Sequence, residues 1–358
     1  EYMRGRNFHN SFMILDEAQN ATMNQIKMFL TRIGRHSKAL LNGDPDQCDL
    51  DHNLKGGFET CMHKLEGLEG ISICNLEGAD IIRNANLDNT QMPPKVYMNV
   101  PHGDFRSMPA VVGPTAGIKW ASLNINKPGK INIFAKVLIN DTETGKLLAI
   151  MDAELLTAIR TAAVTGVATN HLARLDSRTA AFVGCGNQTR KQIEAVTAVR
   201  DIEAIFLYDL DPERAERLAC EYDNAHVFHS LEVCLREADI ITTLTPSRKG
   251  FISDKWLKEA VHINAVGADA AGKRELDISV LNHMGIIVYD EWEQCSHSGE
   301  IQYLEECSRK PVLFSLGDIV KNNLGYNNID RTMGTLFDAT GLAIEDVATA
   351  RYIYEKIQ

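Results

Sequence analysis

Between residues 177 and 300, short apolar runs alternate with longer amphipathic stretches. TAAFVG, AIFLYDL, DIITTLTP, HINAVGA and GIIVYD are apolar almost throughout, the mark of strands buried on both faces. Between them, segments such as KQIEAVTAVR carry apolar residues at helical spacing. The alternation predicts an α/β fold with a Rossmann-type parallel sheet. The preceding stretch reads differently. MPPKVYMNVPHGDFRSMPAVV, AGIKWASLN and INIFAKVLINDTETGKLLAIMD suggest strands around turns, followed by a helix, LLTAIRTAAVTGVATNHLA, that leads into the parallel region. The final TGLAIEDVATARYIYEKI repeats at helical spacing and is expected to pack back on the earlier lobe. Residues 1–85 form a separate α/β pattern: strand SFMIL, helix ATMNQIKMFLTRIG and strand KALLNGDPDQ. The expected organisation is therefore a fragment at 1–85, a smaller α+β lobe at 91–170 plus 301–358, and a Rossmann-type domain at 171–300. A cleft between the lobes, outside the carboxyl ends of the strands, is the expected binding place.

The run TAAFVG ends in Gly184-Cys185-Gly186 and passes directly into a helical segment. Glycines there let the backbone turn tightly and approach a pyrophosphate, and the first N–H groups of the helix, around Asn187 and Gln188, face the phosphate charge. The next apolar run ends in Asp209, 23 residues after Gly186 (209 − 186), close to the spacing at which a carboxylate accepts from the adenosine ribose hydroxyls. An acid at that place favours NAD over NADP, whose 2′-phosphate it would repel. Thr189 stands where the third glycine of the fingerprint belongs, and Gly-X-Gly between a strand and a helix also occurs in α/β proteins that bind nothing.

Length and composition narrow the rest. The chain has 358 residues, 44% of them hydrophobic, enough for a substantial core in two or three domains. A net charge of −11 argues against nucleic acid as a partner. Eight cysteines without a C-x-x-C pair fit a reducing compartment, so a cytoplasmic protein is expected. No run approaches the ~18–20 apolar residues of a membrane span, and EYMRGRNFHN lacks a signal-peptide core. His102, His262 and His297 have no metal-ligand spacing, and no metal is expected.

In the first unit, Asp16 and Glu17 end an apolar strand and Gln47 follows a second one. An acid pair so placed holds magnesium in P-loop ATPases, and a glutamine can sense the γ-phosphate. MRGRNFHNSFMILDEAQNATMNQIKMFLTRIG, LNGDPDQCDL and ADIIRN resemble the C-terminal half of a PhoH-type ATPase domain, which makes Asp16 and Glu17 Walker B acids and Gln47 the sensor. The chain has no G-x-x-x-x-G-K-[ST] loop to cradle phosphate, so the motif is expected to be vestigial.

From about residue 91 to 358, MPPK, GDFRSMP, AGIKW, LAIMDAELLTAIRTAAVTGVA, the glycine turn, TTLTPS, HINAVGADAAGKRELD, HSGEI and FDATGLAIEDVATA together resemble the ornithine cyclodeaminase/mu-crystallin family, and within it the archaeal-type alanine dehydrogenases. The resemblance implies a bound NAD or NADP, a small amino or keto acid in the cleft, and a homodimer. Lys95 and Arg106 lie on adjacent runs across a His-Gly-Asp turn. A lone cation there is ordinarily a solvated surface charge, but the resemblance makes them the substrate-contacting pair. Cyclodeaminases carry an acid where Arg106 stands, which disfavours a diamino acid. Lys119, set among aliphatic groups, is expected to have a lowered pKa and to donate and accept the proton, as its family counterpart does. Arg160 matches the family arginine beside the cofactor and the substrate carboxylate, with Thr161 next to it toward phosphate. Asp269 matches the aspartate that contacts the amine or activates water. Val266, Gly267 and Ala268 pass near the nicotinamide ribose.

The expected reaction is reversible, NAD-dependent oxidative deamination of a small L-amino acid such as alanine to its keto acid and ammonia. Lys119 and Asp269 position the water that hydrolyses the imine, and Lys95, Arg106 and Arg160 hold the carboxylate. Two alternatives stand beside it. One is an ornithine cyclodeaminase, which makes L-proline and ammonia and regenerates its own NAD. The other is a non-catalytic NAD(P)-binding mu-crystallin-like protein or an inactive chimera, because the PhoH-like segment stands where family members carry other N-terminal residues. The loop after AGIKW is short and lacks the usual His-Pro, and Asn132 stands where many members have Thr.

Overall fold

A computed structural model describes residues 7–9, 12–15, 18–41, 57–65, 90–127, 130–322 and 333–357. In the first unit, β1 (Phe12–Leu15) and β2 (Lys38–Leu41) pair in parallel. The helix Met23–Leu30 between them starts at a reciprocal cap, in which Thr22 Oγ1 accepts from the Gln25 backbone and Gln25 Oε1 accepts from the Thr22 backbone. Ala18, Ile26, Phe58 and Cys61 form its small core. Asp16, Glu17 and Gln47, expected as remnants of an ATPase motif, lie outside the described residues.

The second unit is an antiparallel sheet of β3 (Thr90–Gln91), β4 (Val96–Val100), β5 (Gly103–Val112), β6 (Thr115–Lys127), β7 (Lys130–Asp141) and β8 (Leu147–Asp152). Residues directly opposite in the ladder share a face. Met108 opposes Lys119, which opposes Val137, and this inward face packs on the helix Ala343–Lys356 through Val347, Ala348 and Ala350. The other face carries Met98, Phe105, Trp120, Phe134 and Ile150, which the same register aligns. Phe134 is 57% and Ile150 45% exposed, so this sheet leaves a large apolar face uncovered.

The parallel sheet contains β9 (Thr179–Val183), β10 (Ala204–Tyr208), β11 (Ala225–Val227), β12 (Ile240–Thr243), β14 (His262–Ala265), β16 (Met284–Tyr289), β17 (Val312–Ser315) and β18 (Gly334–Asp338); β13 (Arg248–Ile252) and β15 (Arg274–Leu276) pair separately. The order is β11-β10-β9-β12-β14-β18-β16-β17, with all pairings parallel. The direction of progression reverses between β9 and β12, which opens a crevice at their carboxyl ends. Here the structure differs from the expected division of the chain. β17 and β18 extend the parallel sheet to residue 338, so the segment after 301 does not simply return to the first lobe. Every residue of β18 is buried, in keeping with a strand covered on both faces. Among the described residues after 301, only the helix Ala343–Lys356 goes back to the antiparallel sheet.

The two lobes are joined by the helix Glu154–Leu172. Its Leu156 belongs to the antiparallel core, while Val164, Ala168 and Leu172 pack with Val288 and Phe337 under the parallel sheet. Arg160 therefore falls at the junction.

Candidate active site

The ladder register that packs the antiparallel sheet also aims its charges. Tyr97 opposes Arg106, which opposes Ala121, on the face that carries Lys119; Trp120 turns outward. Arg106 stacks over the Tyr97 ring at 5.3 Å, donates from Nε to Asp104 Oδ1 at 2.7 Å and from Nη1 to Asp269 Oδ2 at 2.8 Å. Asp269, in the loop after β14, also pairs with Lys273. Lys95 lies just before β4, and its Nζ donates to the Thr340 carbonyl at 2.6 Å. Lys119 Nζ stands 2.7 Å from Asp346 Oδ2, and Arg160 spans the two acids that begin the last helix, donating from Nε to Asp346 Oδ1 at 2.9 Å and from Nη1 to Glu345 Oε2 at 3.0 Å. Five residues far apart in sequence, Lys95, Arg106, Lys119, Arg160 and Asp269, are thus brought to one region. Lys95 connects the groups, since its charge is felt by both Lys119 and Asp269.

The electrostatics follow from burial among charges. Desolvation and the neighbouring Arg160 bring the Lys119 ammonium down to about 8, against the opposing pull of Asp346. Burial also lowers Lys95, with Asp269 and Asp290 resisting the fall. Burial pushes the Asp269 carboxyl up, but Lys273, Arg106 and Lys95 outweigh it and hold it below the usual carboxylate range. Glu345 is raised by burial to about 7 despite Arg160. The site holds an ionised acid, a lysine that titrates near neutrality and several cations, a set able to grip a carboxylate and exchange a proton.

On the nucleotide side, Gly184 adopts φ +99, where a side chain would be strained, and an added Cβ would sit 3.1 Å from the Leu244 carbonyl. Nothing lies within 4 Å of the Cβ position at Gly186, so the backbone there is open to approach. The helix Thr189–Val199 begins after Gln188. Thr189 itself is fully buried and donates from Oγ1 to the Gly184 carbonyl at 2.7 Å, which accounts for its replacing the third glycine: its side chain ties the turn instead of being removed from it. Asn187 is exposed, and Gln188 Oε1 is buried without a partner among the described residues. Asp209, at the end of β10, accepts from the Cys185 and Asp211 backbones at 2.7 and 2.9 Å, which fixes its carboxylate beside the turn. Across the crevice, the Val266 backbone donates to Thr243, the Gly267 backbone to Glu275 Oε2 at 3.0 Å, and Ala268 is buried. Thr161 Oγ1 donates to the Thr157 carbonyl, which leaves its lone pairs able to accept. A glycine hinge, an adjacent helix start and an acid at the end of the neighbouring strand fit a dinucleotide.

Other acids of the region were not singled out in the sequence. Glu345 and Asp346 hold Arg160 and Lys119. Deeper, Glu275 Oε1 accepts from the Thr245 backbone and hydroxyl, each at 2.7 Å, Glu300 accepts from the Glu275 backbone at 2.6 Å, and Asp338 accepts from the Ile301 backbone at 2.9 Å. Burial raises Glu300 well up and Asp338 to about 7. An acid ending an apolar strand, as in GTLFD, is the signal that could have marked Asp338. Among the described residues no group of three or more His, Cys, Asp or Glu is placed to hold a metal ion, and no helix is long and apolar enough to cross a membrane.

The profile of the ornithine cyclodeaminase/mu-crystallin family matches residues 70–358. The chain belongs to this family. A PhoH-like protein profile matches residues 1–91 and overlaps the start of the family region. An alanine dehydrogenase of Archaeoglobus fulgidus is 37% identical over 276 residues, covering 75% of this chain and 85% of that protein. An ornithine cyclodeaminase of Brucella abortus is 31% identical over 313 residues, covering 85% and 83%. Among solved structures, an archaeal alanine dehydrogenase dimer with bound NAD aligns with a TM-score of 0.71 at 35% identity, over 78% of this chain and 92% of that one. These likenesses agree with the α/β fold described above, and they span more than one reaction.

Proposed function

We propose that this family member is an NAD-dependent oxidoreductase that deaminates a small L-amino acid, alanine being the first candidate, and aminates the keto acid in reverse. The observation that carries the reading is the convergence of Lys119 and Arg160 on Asp346, facing Lys95 and the Arg106–Asp269 pair. When bound, the nicotinamide cofactor supplies the hydride acceptor or donor. Gly184, Gly186, Asn187 and Gln188 would hold its pyrophosphate, Thr161 a phosphate oxygen, Asp209 the adenosine ribose, and Val266, Gly267 and Ala268 the nicotinamide side. The Asp209 carboxylate favours NAD by repelling a 2′-phosphate. The relative solved with NAD bound supports that choice.

Lys95, Arg106 and Arg160 orient the substrate by its carboxylate and polarise the keto oxygen. Lys119 Nζ, balanced near pH 8, takes and returns the proton at the reacting nitrogen or oxygen. Asp269, kept ionised by its cations, orients the amine or the attacking water. The exposed apolar face of the antiparallel sheet supports a homodimer, the state of the archaeal relative. Cyclodeamination of ornithine is the second reading, supported by the Brucella relative and opposed by Arg106. Following NADH absorbance with L-alanine or with L-ornithine separates the two. Net NADH formation with alanine is expected. Ornithine consumed with release of ammonia and no net NADH would move the assignment to the cyclodeaminase, and no thermal stabilisation by NAD or NADP would reject both.

A further inference from the structure

We propose that Asp290 is a positioning residue of this site: through the Thr340–Gly341 turn it sets where the Lys95 ammonium and the Arg160 guanidinium stand. The inference rests on the reading that these two cations orient the substrate. Asp290 directly follows β16. Its Oδ2 accepts from the Thr340 and Gly341 backbones at 2.7 and 2.8 Å, while Oδ1 accepts from Thr340 Oγ1 at 3.0 Å, from the Glu291 backbone at 2.7 Å and from Cys295 Sγ at 2.9 Å. One carboxylate oxygen thus takes two consecutive backbone N–H groups, an arrangement that pins a turn.

The pinned turn faces the cations on its other side. The Thr340 carbonyl receives Lys95 Nζ at 2.6 Å. Gly341 adopts φ +74, and a Cβ there would stand 2.6 Å from Arg160 Nη1, so the shape of the turn makes the space that the guanidinium fills. Immediately afterwards the last helix begins, with Glu345 and Asp346 in its first turn holding Arg160 and Lys119. Asp290 also belongs to the charges that resist the loss of Lys95 basicity. An amide in its place sets its NH2 either against both turn N–H groups or, flipped, against the Glu291 N–H, and in both orientations it removes the charge that holds the turn. Asp290 thus acts on substrate orientation through the turn, and its expected signature lies in KM.

The test is Asp290→Asn, assayed in the direction of pyruvate, ammonia and NADH. The KM for pyruvate is expected to rise about tenfold or more, as for a lost hydrogen bond to a charged group, while the Kd for NADH stays within about twofold. Unchanged KM in a folded variant would overturn the proposal, as would a parallel loss of NADH affinity and pyruvate KM, which marks general structural damage. Gly341→Ala, which crowds Arg160 and leaves Asp290 intact, is the second variant and is expected to raise KM in the same selective way; an unchanged KM there also counts against the proposal. If the wild-type chain does not turn over pyruvate, the functional reading fails by itself. The crystal structure of Asp290→Asn then decides: a displaced turn with Lys95 and Arg160 moved off their present partners supports the inference, and unmoved side chains reject it.

Discussion

At the scale of single residues, the proposed chemistry depends on Lys119. Its sequence setting, AGIKWAS, gave the expectation of a lowered pKa, and the cause in the structure is burial next to Arg160. The apolar neighbours were legible; Arg160 and Asp346 as partners were not, since they come from distant helices. The sign of the pH effect follows directly. A lysine that accepts a proton works in its neutral form, so with Lys119 at about 8 the deamination rate should climb through that pH and level above it. Reductive amination needs the protonated form and should decline over the same range. Lys119→Arg keeps a charge that cannot be shed and is expected to reduce deamination by about 10²–10⁴-fold while NAD binding persists. A flat pH–rate profile between pH 7 and 9, or normal turnover in the variant, would remove Lys119 from its role. Burial of the charge also affects stability. Because the folded pKa lies below the free lysine's ~10.4, the unfolded state binds more protons between about 8 and that value, and this residue's contribution to stability rises with pH there.

Among elements, the glycine turn separates folding from binding. Gly184 needs its positive φ, so Gly184→Ala should cost about 1–2 kcal/mol and lower Tm measurably. Gly186 meets nothing within 4 Å, so Gly186→Ala should leave Tm of the free protein nearly unchanged and weaken NAD binding. Thermal shift with and without NAD reads both effects. Equal NAD affinity in Gly186→Ala and wild type would show that the turn does not seat the pyrophosphate. The strand–glycine–helix pattern was readable because both the buried strand and the turn are local. Thr189 looked like a defect in the fingerprint; only the fold shows its hydroxyl bonded to the Gly184 carbonyl. β17 and β18 were missed as members of the parallel sheet: each is short, and β18 inserts between β14 and β16, away from β17, the strand that precedes it in the chain.

For the whole molecule, the antiparallel sheet has one face packed on the last helix and the other apolar and open. Trp120 and Phe134 lie on the open face at 41% and 57% exposure. An apolar face of this extent calls for a partner, and a second copy of the chain is the proposed one. Phe134→Asp together with Trp120→Asp should convert a dimer to a monomer in sedimentation equilibrium without unfolding it. A wild-type chain that sediments as a monomer at micromolar concentration would reject the assembly.

By itself the sequence determined what is local or periodic: buried strands alternating with helices, the glycine turn, the spacing to Asp209, and enough ordered motifs to indicate the family. Tertiary structure decided the rest. Which acid meets Lys119, how Asp290 reaches the turn beside Arg160, and where β18 joins the sheet all depend on contacts between segments far apart in the chain. Several of these contacts lie where the helix Glu154–Leu172 and the helix Ala343–Lys356 join the two lobes, and charge positions on separate elements leave no periodic trace in sequence.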